Sequence, residues 1–478
     1  MRKRPFALTC RALALLATMS ALAANAQSVL TLETCSPVKD QPPLRCGKLA
    51  VPENWAKPQG RRIELKIVVI PAAGPTTLPP LYDFPGGPGI AETNGADFWL
   101  TAGAMYRAHR DIVLIDQRGT GGSHPLKCAL PFSDPFHEMF PPEAVRRCRA
   151  ELAASADLAQ YSTDASVRDV EAVRTALGHE RIDVSGLSYG TRFAQAYALA
   201  YPERVRAMAL IGTVPADMRL PQEFAADAQR VLDRLLDECL ADAACAQAFP
   251  QLRDDWNALR GRMTAAHPRI SGRPVNAGAF WEAFRGRLGT TELQRQVPWL
   301  IHALAGREPG PALARLRSEN PAFFASGLLL SVECPEDTLR LSAAERAGNG
   351  AGTFLGNYRV QRQYDACRAW DLVPRETAFR KTKVQTIPTL FVVGELDYVT
   401  PPDATERARR TLPDSRVIRI ADLGHFPSGL EHMECMDGII SAFFYAGTPE
   451  GLDTGCLREM HAPPFYTATQ PPPTLPPP

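Results

Sequence analysis

At residues 183–192 the chain reads DVSGLSYGTR, a short apolar strand signal that runs into Gly186-Leu187-Ser188-Tyr189-Gly190 and then into a helix-forming run. A serine held between two glycines where a strand becomes a helix needs a sharp turn. The glycines give room where a Cβ would strike neighbouring backbone, and the serine takes a strained conformation with its oxygen projecting above the sheet edge. The N-terminus of the following helix stabilises negative charge beside it. This pattern predicts a nucleophile elbow at Ser188, on the edge of a sheet with helices against it.

The flanking sequence fits such a sheet. RIELKIVVIPA (62–72), LYDF (81–84), DIVLID (111–116), RIDVSGL (181–187) and VRAMALIG (205–212) read as strands. Several are continuous apolar runs, as strands buried on both faces are. Helical runs alternate with them. Asp164 to Leu177 carries Val167, Val170, Val173 and Leu177 at helical spacing, with Asp164 as the expected N-cap, and a second helix is expected over Thr191 to Tyr201. The rhythm stops at about residue 216. Helical signals such as EFAADAQRVLDRLLDECLADA (223–243) and TTELQRQVPWLIHALAG (290–306) dominate to about 380. It resumes with IPTLFVVGE (387–395), PDATERARRTL (402–412), SRVIRIA (415–421) and an apolar helix beginning near Glu431. The expected fold class is therefore α/β: a mostly parallel central sheet with helices on both faces, split by a large helical insertion. The expected organisation is a sheet domain over 27–215, the insertion over 216–380, the rest of the sheet domain over 381–460, and a Pro-rich, disordered or extended tail over 461–478.

Residues 1–26 read differently. Arg2, Lys3, Arg4 and Arg11 precede or flank an apolar stretch from Ala12 to Ala24, and Ala24-Asn25-Ala26 gives a small-x-small cleavage pattern. This is the pattern of a cleaved signal peptide, which implies a secreted or periplasmic mature chain starting near Gln27. The segment holds four basic residues and no acidic one, so its removal takes the formal net charge from +1 to −3. Such a near-neutral chain has no electrostatic reason to bind nucleic acid. No other segment is long and apolar enough to span a membrane. Of eleven cysteines, Cys10 leaves with the signal and ten remain. An even number in an exported chain points to disulfides, and the simplest pairing is sequential: 35–46, 128–148, 239–245, 334–367 and 435–456. No CxxC has metal-ligand spacing, so no zinc site is expected.

A serine nucleophile requires a base, and the base an orienting carboxylate, in the chain order Ser, acid, His for this kind of elbow. FVVGELD ends an apolar strand with Asp397 just past its C-terminal end, and RIADLGH places His425 in the loop after the next strand. Catalytic groups of α/β sheets gather at those ends. Among rivals, Glu395 lies near Asp397, Asp403 reads as a first-turn helix residue, and His432 reads as a surface or packing residue. His124 comes before the sheet resumes. The triad expected is Ser188, Asp397 and His425. The oxyanion requires backbone N–H groups; Tyr189 follows the nucleophile, and the glycine-rich Gly86-Gly87-Pro88-Gly89 after the strand LYDF is placed to supply the second donor.

Several stretches together resemble the prolyl and tripeptidyl aminopeptidase group of α/β-hydrolases: PGGPG (85–89), DQRGTGGS (116–123), GLSYGTRFAQAYALAYPERV (186–205), VVGELDYVTPPDATERARRTLPDSRV (392–417), LGH (423–425), and Cys435 followed by Cys456. The resemblance spans most of 45–458, more weakly in the insertion, and leans to the secreted tripeptidyl branch. It implies an α/β-hydrolase fold with the helical cap inserted after strand 6, with Ser188, Asp397 and His425 on its triad and Gly87 and Tyr189 in its oxyanion region. It also implies a serine exopeptidase, needing no cofactor, that releases short units from peptides with a free N-terminus. Pro85 stands where prolyl aminopeptidases usually carry histidine, which argues against simple prolyl specificity. A cationic amino terminus calls for carboxylates. The segment SVECPEDT (331–338) offers Glu333, Glu336 and Asp337, and similar segments in the family make Glu336 the first candidate. An ester hydrolase with the same triad, or an exported binding protein that keeps the fold without activity, are the alternative readings.

Overall fold

A computed structural model describes residues 30–35, 42–131, 134–317, 324–348, 350–381, 383–468 and 470–472. The expected signal segment lies outside the described residues. Nine strands form one sheet in the order β1-β2-β3-β5-β4-β6-β7-β10-β11. In chain order these are β1 (Leu32–Cys35), β2 (Leu44–Pro52), β3 (Arg62–Ile70), β4 (Leu81–Phe84), β5 (Ile112–Ile115), β6 (Ile182–Leu187) and β7 (Val205–Ile211). A two-residue hairpin inside the insertion supplies β8 (Arg269–Ile270) and β9 (Arg273–Pro274), and β10 (Thr389–Gly394) and β11 (Ser415–Ile420) complete the main sheet. The first four neighbours pair antiparallel, and every pairing from β5 to β11 is parallel.

Apolar side chains explain why the sheet is covered on both faces. Along β3, Leu65, Ile67 and Val69 enter one core, while Val68 and Ile70 enter the other. Met208 and Leu210 of β7 are separated from Ala207 and Ala209 in the same way. A strand with period-two alternation and no polar face must be buried twice. The helices Thr163–Ala176 and Tyr189–Ala200 cover one face, and Glu434–Ala446 covers the other.

The structure differs from the sequence-based expectation in five places. The helix over 163–176 is capped by Ser162, whose hydroxyl accepts from the Ala165 N–H at 3.2 Å. Asp164, the expected cap, sits in its first turn and accepts from the Ala378 N–H instead. The helix expected from Thr191 begins at Tyr189, directly after Ser188. Two strands, β1 and β2, precede β3 and were not read from the sequence, so the insertion, which follows Val205–Ile211 as expected, comes after the seventh strand in chain order. It is also not one body. The helices Phe224–Ala241, Leu252–Met263, Ala277–Arg285 and Val297–Ala305 build their own core around Leu235, Trp256, Phe280 and Phe284. The later helices Ser326–Glu336 and Tyr358–Trp370 instead bury Leu328, Leu330, Val332, Ala366 and Trp370 against the sheet-side core. Finally, the start of the tail packs onto the cap: Phe465 is buried in the cap core under the Arg295 guanidinium, and the Tyr466 N–H donates to the Arg295 carbonyl at 3.0 Å. One large aromatic side chain with a site to fill outweighs the prolines that follow it.

Five disulfides join Cys35–Cys46, Cys128–Cys148, Cys239–Cys245, Cys334–Cys367 and Cys435–Cys456. Among the described residues no helix is long and apolar enough to cross a membrane.

Candidate active site

The elbow is built by close backbone approach. Ser188 sits between β6 and its helix with φ 57° and ψ −125°, a conformation L-residues rarely adopt. A Cβ on Gly190 would lie 2.1 Å from the Phe84 carbonyl oxygen, and one on Gly186 would lie 2.5 Å from the Gly190 carbonyl oxygen. Neither neighbour can yield, since both are backbone, so the turn requires glycine on each side of Ser188. The Ser188 N–H donates to the Ile211 carbonyl at 3.0 Å, which pins the strained residue to the end of β7.

The structure brings the three expected side chains into one hydrogen-bonded row. His425 Nε2 lies 2.9 Å from Ser188 Oγ. His425 Nδ1 lies 2.9 Å from Asp397 Oδ2 and 3.0 Å from Oδ1. A carboxylate only accepts, so Nδ1 carries the proton in this row and Nε2 is left to accept from the serine hydroxyl. Asp397 follows β10, His425 follows β11, and Ser188 follows β6, all at the carboxyl ends of parallel strands. Asp397 and His425 are almost fully buried, while Ser188 is half-buried.

Asp397 is itself held. Its Oδ1 accepts from the Val399 and Thr400 N–H groups, each at 2.8 Å, and its Oδ2 accepts from the Thr400 hydroxyl at 2.7 Å. Thr400 also comes within 3.2 Å of His425 Nδ1. Sequence reading passed over Thr400. Its signal is the Asp-x-x-Thr spacing in LDYVT, in which an aspartate can fold back on N–H groups two and three residues on. The cap grips the same loop: Arg230 donates to the Asp397 carbonyl at 2.6 Å and Gln294 to the Leu396 carbonyl at 3.0 Å. Tyr398 meets the His425 ring edge-on and carries the Arg285 guanidinium on its own ring.

Of the two expected oxyanion donors, Tyr189 follows the nucleophile directly and Gly87 lies on the neighbouring Pro85–Gly89 loop. Tyr189 is the first residue of its helix, so its N–H has no acceptor within that helix. The Pro85–Gly89 loop passes beside the elbow, where a Cβ on Gly86 would be 3.6 Å from the Ser188 Cβ. Gly87 has φ +111° and is followed by a cis peptide to Pro88. Phe324, from the insertion, lies against Gly87 and Gly89.

The carboxylates expected to receive a substrate amine are engaged elsewhere. Glu333, Glu336 and Asp337 are all buried. Asp337 is shared by two guanidinium groups, accepting from Arg192 at 2.6 Å and from Arg380. Glu333 accepts from the Gln363 amide. Glu336 accepts from the Thr163 N–H at 2.9 Å and the Thr163 hydroxyl at 2.7 Å. Burial pushes both glutamate carboxyls up to about 7. None of the three therefore presents a free charge to a ligand. The reason lies in the helix that carries them, whose Leu328–Val332 stretch is driven into the core and takes the acidic end with it. Of the rival residues, Glu395 pairs with Arg419, Asp403 lies in the first turn of the helix Pro402–Arg409, and His432 is exposed and pairs with Glu434. His124 stacks near Tyr161.

A strained serine on a strand-to-helix elbow, facing an imidazole that a buried carboxylate holds, defines the class: this is a serine hydrolase. Residues 79–431 match the alpha/beta hydrolase fold, and the chain belongs to that family. It is similar to a tripeptidyl aminopeptidase of Streptomyces lividans, 24% identical across 91% of this chain and 88% of the relative. It is also similar to the serine protease Hip1 of Mycobacterium tuberculosis, 30% identical over 42% of each chain. Among solved structures, a proline iminopeptidase of Mycobacterium smegmatis aligns over 84% of this chain and 98% of its own, with 19% identity and a TM-score of 0.43.

Proposed function

We propose that the protein is an exported serine exopeptidase that releases short peptides or single residues from the free N-termini of peptides. The observation that carries the reading is the row Ser188–His425–Asp397, with 2.9 Å at each junction. In this reading His425 Nε2 takes the serine proton as Oγ attacks the scissile carbonyl. Asp397 keeps the ring in the Nδ1–H tautomer and stabilises the imidazolium that forms. The N–H groups of Gly87 and Tyr189 receive the oxyanion. His425 then returns the proton to the leaving amine, and water, activated by the same imidazole, releases the acyl group from Ser188.

The amino-terminal preference is supported by the likeness to a tripeptidyl aminopeptidase along nearly the whole chain. The insertion also supports it, because its residues Arg230, Gln294 and Phe324 close on the loops that carry Asp397 and Gly87. A covered site suits short substrates entered by one end. The five disulfides support export. Since Glu333, Glu336 and Asp337 are engaged, they have no part in amine recognition in this reading.

The test is product analysis on matched peptides with free and acetylated N-termini, alongside p-nitrophenyl esters. Release of short N-terminal fragments from free peptides alone is expected. Equal turnover of free and acetylated peptides, or turnover of esters only, would overturn the exopeptidase reading in favour of an ester hydrolase or an endopeptidase.

A further inference from the structure

The inserted helix Ser326–Glu336 reaches both segments of the proposed oxyanion site, directly at its start and through Thr163 at its end. At its start, the Ala325 N–H donates to the Gly89 carbonyl at 2.9 Å, and the Phe324 ring lies against Gly87 and Gly89. At its end, Glu336 meets Thr163, the first residue of the helix Thr163–Ala176. Thr163 Oγ1 lies 2.8 Å from the hydroxyl of Tyr189, and the Gln117 amide nitrogen lies 3.2 Å from the same hydroxyl. Tyr189 and Thr163 have no exposure at all, so no water competes for these groups.

Donor and acceptor counting fixes the direction of this chain. When ionised, the Glu336 carboxylate only accepts, so the Thr163 hydroxyl donates to it. The Thr163 oxygen is then free to accept, and the Tyr189 hydroxyl donates to it. The Gln117 NH2 has no accepting capacity, so it donates to the Tyr189 oxygen. Every proton along Gln117, Tyr189 and Thr163 points toward Glu336, and the Thr163 N–H adds a further donor to the same carboxylate. A chain with one direction holds its members more tightly than isolated pairs do. Tyr189 is the residue whose N–H stands next to the nucleophile.

We propose that Thr163 and Glu336 are positioning residues for the oxyanion site, fixing Tyr189 through its hydroxyl while the other end of the same inserted helix fixes the Gly87–Gly89 loop. Seating of this helix on the core and assembly of the oxyanion site are then one event. The proposal deepens the hydrolase reading and rests on it.

The test compares Thr163→Val, Thr163→Ser, Tyr189→Phe and the Thr163→Val/Tyr189→Phe double variant with wild type and Ser188→Ala. Each is assayed for kcat and KM on a p-nitrophenyl ester and on a tripeptide p-nitroanilide, with thermal melts on the same samples. An interaction that acts in the transition state lowers kcat and leaves KM in place. Thr163→Val and Tyr189→Phe are each expected to lose about tenfold in kcat, with KM within about twofold. Thr163→Ser keeps the hydroxyl and is expected to keep wild-type kcat. The double variant is expected to be no worse than the poorer single, because both break one chain. If Thr163→Val does not fold, Tyr189→Phe reads the same link from its other end. A folded Thr163→Val or Tyr189→Phe with wild-type kcat, a loss confined to KM, or multiplicative losses in the double variant would overturn the proposal. Activity surviving in Ser188→Ala would instead overturn the hydrolase assignment beneath it.

Discussion

Asp397→Asn is the substitution whose outcome the geometry specifies most fully. Oδ1 of Asp397 accepts from two backbone N–H groups, those of Val399 and Thr400, each at 2.8 Å. An asparagine must therefore put its carbonyl oxygen there, because an NH2 facing two N–H donors leaves three groups unpaired and buried. The NH2 then occupies the Oδ2 position, 2.9 Å from His425 Nδ1. An amide NH2 can only donate, so Nδ1 must accept and the ring proton moves to Nε2. That nitrogen lies 2.9 Å from Ser188 Oγ and can no longer take its proton. The fold is preserved and the base is lost. For the corresponding change in Ser-His-Asp enzymes the loss is about 10⁴ in kcat, or about 5.5 kcal/mol at about 1.4 kcal/mol per tenfold. The assay is turnover of a p-nitrophenyl ester and a free-amine peptide, with the melting temperature recorded on the same protein. A folded Asp397→Asn with kcat within tenfold of wild type would refute the assigned tautomer and with it the orienting role of Asp397.

Other perturbations test separate parts of the structure. Gly190→Ala places a Cβ 2.1 Å from the Phe84 carbonyl oxygen and is expected to cost about 3 kcal/mol or more, read as a fall in urea midpoint with loss of activity. Asp337→Ala leaves the buried Arg192 and the partly buried Arg380 guanidinium groups without their shared carboxylate, and is expected to cost about 3–5 kcal/mol by the same measurement. Burial alone would raise the Glu282 carboxyl, but Arg285 and Arg359 overcome it and hold the group at about 2, below its ordinary 4.5. The ionised form is thus favoured by folding, so its contribution is fully present above about 4.5 and disappears as pH falls through about 2. Wild type should lose roughly 3 kcal/mol of unfolding free energy across that window from this group, and Glu282→Gln should lack that part of the acid slope.

What the sequence makes legible follows from how local the cause is. The elbow is encoded within five residues, since Gly186 and Gly190 answer to backbone contacts that any strand–turn–helix of this kind makes. Asp397 and His425 were readable because each lies just past an apolar strand, and parallel strands deliver their ends to one edge. Glu333, Glu336 and Asp337 were misread because acidic residues in sequence look solvated. Their burial depends on Leu328, Leu330 and Val332 pulling the helix inward, and on Arg192, Arg380, Gln363 and Thr163, which come from distant segments. Thr400 escaped notice because its importance lies in facing Asp397 and His425 at once. The packing of the tail's start was obscured by the prolines beyond it, because Phe465 carries it.

The proposed hydrolysis requires Ser188 to act as the nucleophile that His425 activates. Labelling the protein with a fluorophosphonate and locating the adduct by peptide mass spectrometry tests this directly. The adduct is expected on Ser188, absent in Ser188→Ala, and formed at least a hundredfold more slowly in His425→Ala, on the order of general-base assistance. An adduct on another residue, or a labelling rate unchanged by His425→Ala, would contradict it.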